Sequence, residues 1–246
     1  MRGAPLPQGA EKVAAVDTMF DTIAPRYDLL NRLLTFGMDV GWRKRAVRDL
    51  GLPAGSLVLD LACGTGDLCR VLSTAGLRPV GVDRSAGMLA AARAQPLWPL
   101  RGPGRRARTT APLVRADGMR LPVPAGAVDG ITCGFALRNV VGLEPFFAEC
   151  ARALRPGGRV SLLDVSEPGN PVLRAGHSVY FGRVVPLVGG LISDRDAYRY
   201  LPKSLAYLPP GPELLALLAA SGFPDARRRV LSVGIAQLLT GTRADR

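Results

Sequence analysis

The residues best suited to chemistry lie in the stretch Leu57-Val-Leu-Asp-Leu-Ala-Cys-Gly-Thr-Gly-Asp-Leu68. Its apolar first half reads as a buried parallel strand, and Gly64 and Gly66 let the backbone turn sharply into a helix. Such a turn brings bare amide N–H groups and a helix N-terminus against a ligand, with no Cβ between them. The third glycine of the dinucleotide fingerprint is missing, and Asp67 stands at the helix start, where its carboxylate disfavours a pyrophosphate. A second apolar stretch, Pro79-Val-Gly-Val-Asp83, puts Asp83 nineteen residues past Gly64. That is close to the separation of about 20 at which an acidic side chain takes ribose hydroxyls. A glycine turn bracketed by two carboxylates suits a ligand with a ribose and a positive charge, so S-adenosylmethionine is favoured over NAD.

To bring these residues together the chain must alternate strands and helices. Helices are expected over 67–75 and 85–94, the second N-capped by Ser85. A third strand over 113–116 ends at Asp117-Gly118, and a fourth covers 128–135. A helix over 143–154, stopped by Arg155-Pro-Gly-Gly, precedes a fifth strand over 159–165. This rhythm predicts a parallel sheet with right-handed crossovers. A reversal of strand order beside the first strand then sets Gly134 and Ala-Leu-Arg138-Asn139-Val next to the glycine turn. Residues 212–221 read as a helix, and 227–231 with 235–241 as a terminal strand pair.

Upstream, apolar residues recur at spacings of three and four from Lys12 to Leu34, a helical stripe broken near Ala24-Pro25, and a third helix follows over 40–50. Residues 1–11 read as a disordered tail. The segment 17–31 fits equally a helical hairpin on the sheet edge and a cap over the cofactor. With four prolines, 95–112 reads as an exposed basic loop carrying Arg101, Arg105, Arg106 and Arg108. The insertion 167–210 follows the fifth strand, a position suited to roofing a substrate pocket. The expected organisation is one domain over 1–246: a helical cap at 12–50, a cofactor core at 56–166, a substrate lid at 167–210, and a C-terminal helix and strand pair at 211–246.

A chain of 246 residues with 48% apolar content can bury a large core as one α/β unit. No uncharged apolar run approaches the roughly 20 residues of a spanning helix, and the N-terminus lacks a signal peptide's apolar region, so a cytoplasmic chain is expected. Cys63, Cys69, Cys133 and Cys150 show no Cys-x-x-Cys spacing, and one histidine cannot complete a zinc set, so free buried thiols and no metal are expected. The net charge of +12 comes from 32 basic residues of which only three are lysine. Arginine filling solvated positions accounts for much of it. An anionic membrane surface fits the remainder better than nucleic acid does.

With these segments in place the chain resembles the class I S-adenosylmethionine-dependent methyltransferases, and more closely the ubiquinone/menaquinone biosynthesis C-methyltransferase family, over nearly its whole length. The resemblance rests on Phe20-Asp-Thr-Ile-Ala-Pro-Arg-Tyr-Asp-Leu-Leu-Asn31, Trp42-Arg43, Asp60-Leu-Ala-Cys-Gly-Thr-Gly-Asp-Leu68, Phe135-Ala-Leu-Arg-Asn-Val140, Leu154-Arg-Pro-Gly-Gly158 and Tyr198-Arg-Tyr-Leu201. The glycine motif marks methyltransferases in general; the segments 20–31 and 135–140 point to quinone substrates. The resemblance implies a Rossmann-like, mostly parallel seven-stranded sheet with an N-terminal helical cap and a lid insertion before the last strands. It implies S-adenosylmethionine as methyl donor, held at Asp60, Gly64, Thr65, Gly66, Asp83, Arg84, Asp117, Gly118 and Gly134, with Asp83 on the ribose and Asp117-Gly118 at the adenine. Gly134 stands where several members carry serine, so a side-chain contact is missing there. Asp117 replaces a common asparagine and can accept from the adenine amine but not donate.

The implied reaction moves the sulfonium methyl group to a ring carbon of demethylmenaquinol, giving menaquinol, the last step of menaquinone biosynthesis. The donor is already activated, so the protein's work is to align the reactants, exclude water and help the quinol lose a proton. Alignment alone can supply about 7–11 kcal/mol. Tyr27, Asp28, Asp164, His177 and Tyr180 all stand as candidate bases, and Arg138 as a group that steadies a developing oxyanion. An isoprenoid substrate implies peripheral contact with the inner face of the cell membrane through the arginine-rich face and residues 178–192. A homo-oligomer is compatible with the sequence. Other readings stay open: methylation of another aromatic, polyketide or benzoquinol carbon, or a non-catalytic cofactor-binding protein. A nucleic-acid methyltransferase is disfavoured, because Gly134-Phe-Ala-Leu replaces the Pro-Pro-aromatic motif at the fourth strand's end.

Overall fold

Seven strands form one sheet in the computed structural model, which describes residues 8–94, 111–185 and 204–245. Strands β1 (Leu57–Leu61), β2 (Arg78–Asp83), β3 (Leu113–Arg115), β4 (Val128–Gly134) and β5 (Leu154–Val165) run parallel. The antiparallel pair β6 (Arg227–Leu231) and β7 (Ala236–Thr242) completes the order β3-β2-β1-β4-β5-β7-β6. Four of the five β1 residues are buried, as expected of a strand covered on both faces. Leu59 and Leu61 face a core shared with Phe147 of α6 (Leu143–Ala153), Leu218 of α8 (Gly211–Ala220) and Phe223. Val58 faces the other way, onto Leu50 of α3 (Met38–Leu50) and Leu72 of α4 (Asp67–Thr74). The result is the three-layered Rossmann-like arrangement that the strand and helix alternation predicts.

The N-terminal stripe folds as α1 (Gly9–Ile23) and α2 (Tyr27–Leu34), separated by a 3-10 turn at Ala24–Arg26 where Pro25 breaks the helix. Ile23, Ala24 and Leu30 pack with Met88 of α5 (Ala86–Ala94) and with Val185. Ser85 caps α5, its hydroxyl accepting from Met88 N at 2.9 Å. The cap reinforces that end of the helix: Asp21 of α1 accepts from Gly87 N at 2.9 Å and from the Ser85 hydroxyl.

Two boundaries differ from expectation by three residues or more. Helix α1 begins at Gly9, so the expected tail over 1–11 is already helical over its last three residues. Strand β5 begins at Leu154, and Pro-Gly-Gly is a bulge within it, where its register against β4 shifts between Val128 and Gly130. Proline and glycine that read as a helix stop also fit an irregular strand; Gly157 takes φ +70° there. The insertion after β5 opens with α7 (Pro171–Val179), capped by Asn170, whose side chain accepts from Val172 N at 2.9 Å. Most of the basic loop and the Tyr198-Arg-Tyr-Leu201 motif lie outside the described residues.

Candidate active site

The strand order reverses between β1 and β4, whose ends pair at Leu61 and Cys133. Chain connections leave this point in opposite directions, which opens a crevice above the strand ends. Each strand is followed at once by a non-glycine residue in the left-handed region, Ala62 at φ +51° and Phe135 at φ +61°. Each such residue costs on the order of 1 kcal/mol, a strain typical of functional turns. Gly64 and Gly66, at φ +53° and +83°, carry the chain onward into α4.

A cavity of about 190 Å³ lies above this point. The sheet contributes Leu61, Val82, Asp83, Cys133 and Gly134 to its lining, the connections after the strands contribute Gly64, Asp117, Gly118 and Asn139, and the N-terminal helices contribute Val13, Val16, Phe20 and Tyr27. Asp17, Phe20 and Tyr27 of the segment 17–31 thus line the same cavity as Gly64 of the turn. Asp83 accepts from Gly64 N at 2.7 Å and from Ser85 N at 2.9 Å, so the same carboxylate that faces the cavity also fixes the glycine turn. Burial raises its pKa, and the backbone N–H bonds oppose that shift.

Arg84 bridges the cavity's edge, bonding Asp117 at 2.5 Å and Asp17 of α1 at 3.1 Å. Asp17 also lines the cavity and escaped the sequence reading. The signal was present, because Asp17 follows Val16 and precedes Phe20 on the face of α1 that meets the turn. At the other end of α1, Lys12 Nζ donates to Val140 O at 3.0 Å and lies 3.7 Å above the Tyr207 ring. Burial lowers its pKa to about 8.

Asp67 departs from its expected role. Rather than bracketing the ligand, it faces away into a cluster with Arg32, Arg43 and Arg70, and it does not line the cavity. Burial alone would raise its pKa, and the guanidiniums of Arg43, Arg70 and Arg32 more than reverse this, holding it below the ordinary value. The same cluster ties cap to turn: Thr65 Oγ1 donates to Asp28 at 2.5 Å, and Arg70 donates to Thr65 O at 2.9 Å. Thr65, Gly66 and Asp28 thus stand behind the cavity wall rather than in it.

The other candidates are dispersed. Tyr27 lines the cavity, and burial raises its pKa, with a side-chain hydrogen bond to Asn31 opposing the shift. Arg138 is buried against Asp164 and donates to Ser204 at 3.1 Å; Tyr180 donates to Leu34 O at 2.9 Å. Neither lines the cavity, and neither does His177 of α7, whose pKa burial lowers. Phe135 packs 6.2 Å from Trp42, and the Arg43 guanidinium lies 5.1 Å from its ring, so two motifs distant in sequence are one contact here. A Cβ on Gly134 would stand 2.8 Å from Leu68 Cδ1, so a serine there requires Leu68 to move.

Asp60 lies below the cavity floor, fully buried, accepting from Thr132 Oγ1 at 2.8 Å and from Cys69 Sγ at 3.4 Å. Burial raises its pKa to about 7, with the two side-chain bonds opposing. The folded state therefore holds a proton that the unfolded chain has released, and stability declines as pH rises from about 4 towards 7. Asp60→Asn, which keeps the acceptor for Thr132 without the charge, is expected to raise stability at pH 8 by roughly 2–4 kcal/mol. Denaturant melts should show the gain shrinking towards pH 4; a gain independent of pH would contradict it. Among the described residues, no cluster of His, Cys, Asp and Glu is arranged to hold a metal.

Comparison with known proteins adds a family to this geometry. The model of the ubiE/COQ5 methyltransferase family matches residues 8–243. A ubiquinone/menaquinone biosynthesis C-methyltransferase of Syntrophotalea carbinolica is 44% identical, over 92% of this chain and 93% of its own length. A demethylmenaquinone methyltransferase of Thermus thermophilus is also 44% identical, over 92% of this chain and all of its own. Among solved structures, a Thermotoga maritima S-adenosylmethionine-dependent methyltransferase described as a possible histamine N-methyltransferase is similar in fold. Its TM-score is 0.63 at 17% identity, covering 92% of this chain and 98% of that one.

Proposed function

The chain belongs to the ubiE/COQ5 methyltransferase family, and from that premise we infer that it is an S-adenosylmethionine-dependent C-methyltransferase acting on demethylmenaquinol to give menaquinol. The observation that carries this reading is convergence. The glycine turn with Asp83, the 135–140 segment and the 20–31 segment, which separately suggested a donor site and a quinone site, line one cavity. The similarity to demethylmenaquinone methyltransferases, one of them 44% identical along its full length, supports the acceptor.

The bound cofactor supplies an activated methyl group on a sulfonium. The chain's own residues fit such a ligand: Asp83 at the end of β2 suits the ribose hydroxyls, and Asp117 with Gly118, in a lining that also includes Met119 and Phe146, suits the adenine. Tyr27 lines the cavity and burial favours its protonated form, so it offers a donor for a quinol oxygen there. Phe20, Val13 and Val16 of α1 exclude water above. Arg138 acts one step removed, fixing the turn Leu137–Asn139 from which Asn139 and Val140 reach the lining.

A demethylmenaquinol acceptor carries an isoprenoid tail, which favours an encounter at a membrane surface; among the described residues no helix is long and apolar enough to cross a membrane. The test is an assay with labelled S-adenosylmethionine offering demethylmenaquinol, a demethoxy-type benzoquinol and RNA side by side in detergent. Label is expected in the naphthoquinol. Label in RNA alone would overturn the reading, and label in the benzoquinol alone would move the acceptor class.

A further inference from the structure

Helix α2 has two faces. Tyr27, Leu30 and Leu34 turn inward to the cavity and the cap core, whereas Leu29 and Leu33, one turn apart, are exposed, as is Phe36 two residues past the helix end. Phe36 is the extreme case, at 77% exposed and with φ +51°. A helix end in this conformation takes glycine or asparagine at least cost, so a phenylalanine there carries backbone strain and an exposed ring together. Its intramolecular contact is a tilted ring pair with Tyr180 at 5.8 Å. Tyr180 follows α7, a helix none of whose residues is buried, and which exposes Val172 at 80% together with Leu173 and Val179. Through the Phe36–Tyr180 contact the two apolar faces adjoin.

The charges beside this surface have one sign. Residues 24–37 contain one acid, Asp28, whose carboxylate is turned inward to Thr65, and residues 169–185 contain none. Arg26, Arg174 and Arg183 are exposed within the same two segments. We propose that Leu29, Leu33 and Phe36 of the α2 end, with Val172, Leu173 and Val179 of α7, form a docking surface for an anionic lipid bilayer. Exposed apolar side chains flanked by arginines match the acyl boundary and its phosphate layer. A second copy of the chain is the poorer occupant, because joining two such faces brings arginine onto arginine in a chain of net charge +12. The proposal rests on the quinol reading for its purpose: Tyr27, two residues from Leu29 in the same helix, is in the cavity wall, so a docked α2 sets the cavity beside the lipid. It also shifts the expected contact from 178–192 towards α2.

Sedimentation with phosphatidylglycerol vesicles, phosphatidylcholine vesicles as control, tests this on the full chain. The parent is expected to bind the anionic vesicles in a salt-sensitive manner, and Leu29→Ser/Leu33→Ser to bind roughly tenfold more weakly. Methylation of a tail-less naphthoquinol should be unchanged in that variant. Phe36→Gly separates docking from folding: it relieves the strained φ, so its melting temperature should rise while vesicle binding falls several-fold. Equal binding by parent and variants, or none by the parent, would overturn the proposal. So would loss of a dimer in the variants with vesicle binding intact, which would assign the face to a second copy. If the parent methylates no quinol in detergent, the functional reading falls, and the vesicle result still decides the surface.

Discussion

Asp83→Ala is expected to weaken S-adenosylmethionine binding by roughly 100-fold or more. Hydrogen bonds to a charged acceptor contribute about 1.5–3 kcal/mol each, and a carboxylate at the end of β2 can take both ribose hydroxyls. The loss has a second source. Asp83 also accepts from Gly64 N and Ser85 N, so its removal frees the glycine turn that the cofactor rests on. Asp83→Asn retains an acceptor for Gly64 N without the charge, and should fall between parent and alanine. Burial raises the Asp83 pKa, so on acidification parental affinity should decline at a higher pH than an exposed aspartate would give, whereas the alanine variant should show no such step. Calorimetric titration of the three proteins decides the matter; an alanine variant that binds as tightly as the parent removes Asp83 from the site.

Asp83 was legible in the sequence because its signal is local: an apolar strand, an acidic end and a fixed distance from a glycine turn. Gly134 and the 135–140 segment were placed by a topological rule, and the reversal between β1 and β4 bears the rule out. What was not legible depends on tertiary direction. Asp67 has the type and position of a ligand-facing helix-start residue, yet three arginines from α2, α3 and α4 turn it away. Asp17 reads as one more polar residue on a helix until α1 packs against α5 and Asp17 meets Arg84. Asp60 belongs to the glycine motif by sequence, but strand alternation sends its side chain into the core, where Thr132 and Cys69 receive it. The arginine count read as a surface property, and part of it is interior: Arg43 and Arg138 are both buried against aspartates, pairs that leave the net charge to the remaining residues. The docking face on α2 was hidden for the same reason, since the motif that contains Leu29 announces a substrate cap and says nothing of which side meets solvent.

Arg138→Met is expected to cost about 3–5 kcal/mol of stability, because it leaves Asp164 as an unpaired carboxylate in the core. Asp164 is fully buried, and its remaining donors are Arg138 N at 3.3 Å and Val165 N at 2.7 Å, neither of which carries a charge. For a chain of this length that corresponds to a fall of roughly 10–15 °C in Tm. Removing both partners, Arg138→Met/Asp164→Leu, should restore most of it, since a buried ion pair replaced by apolar groups is close to neutral. The pair of variants also separates the two roles open to Arg138. Its guanidinium is committed to Asp164 and Ser204 and lies outside the cavity lining, so its influence on chemistry runs through the turn that presents Asn139 and Val140. On that geometry kcat falls in the single variant and returns to within about tenfold of the parent in the double, tracking Tm, because the turn is again held by packing. A double variant that melts like the parent but stays inactive would show the opposite, that the guanidinium itself reaches the developing oxyanion when the quinol is bound.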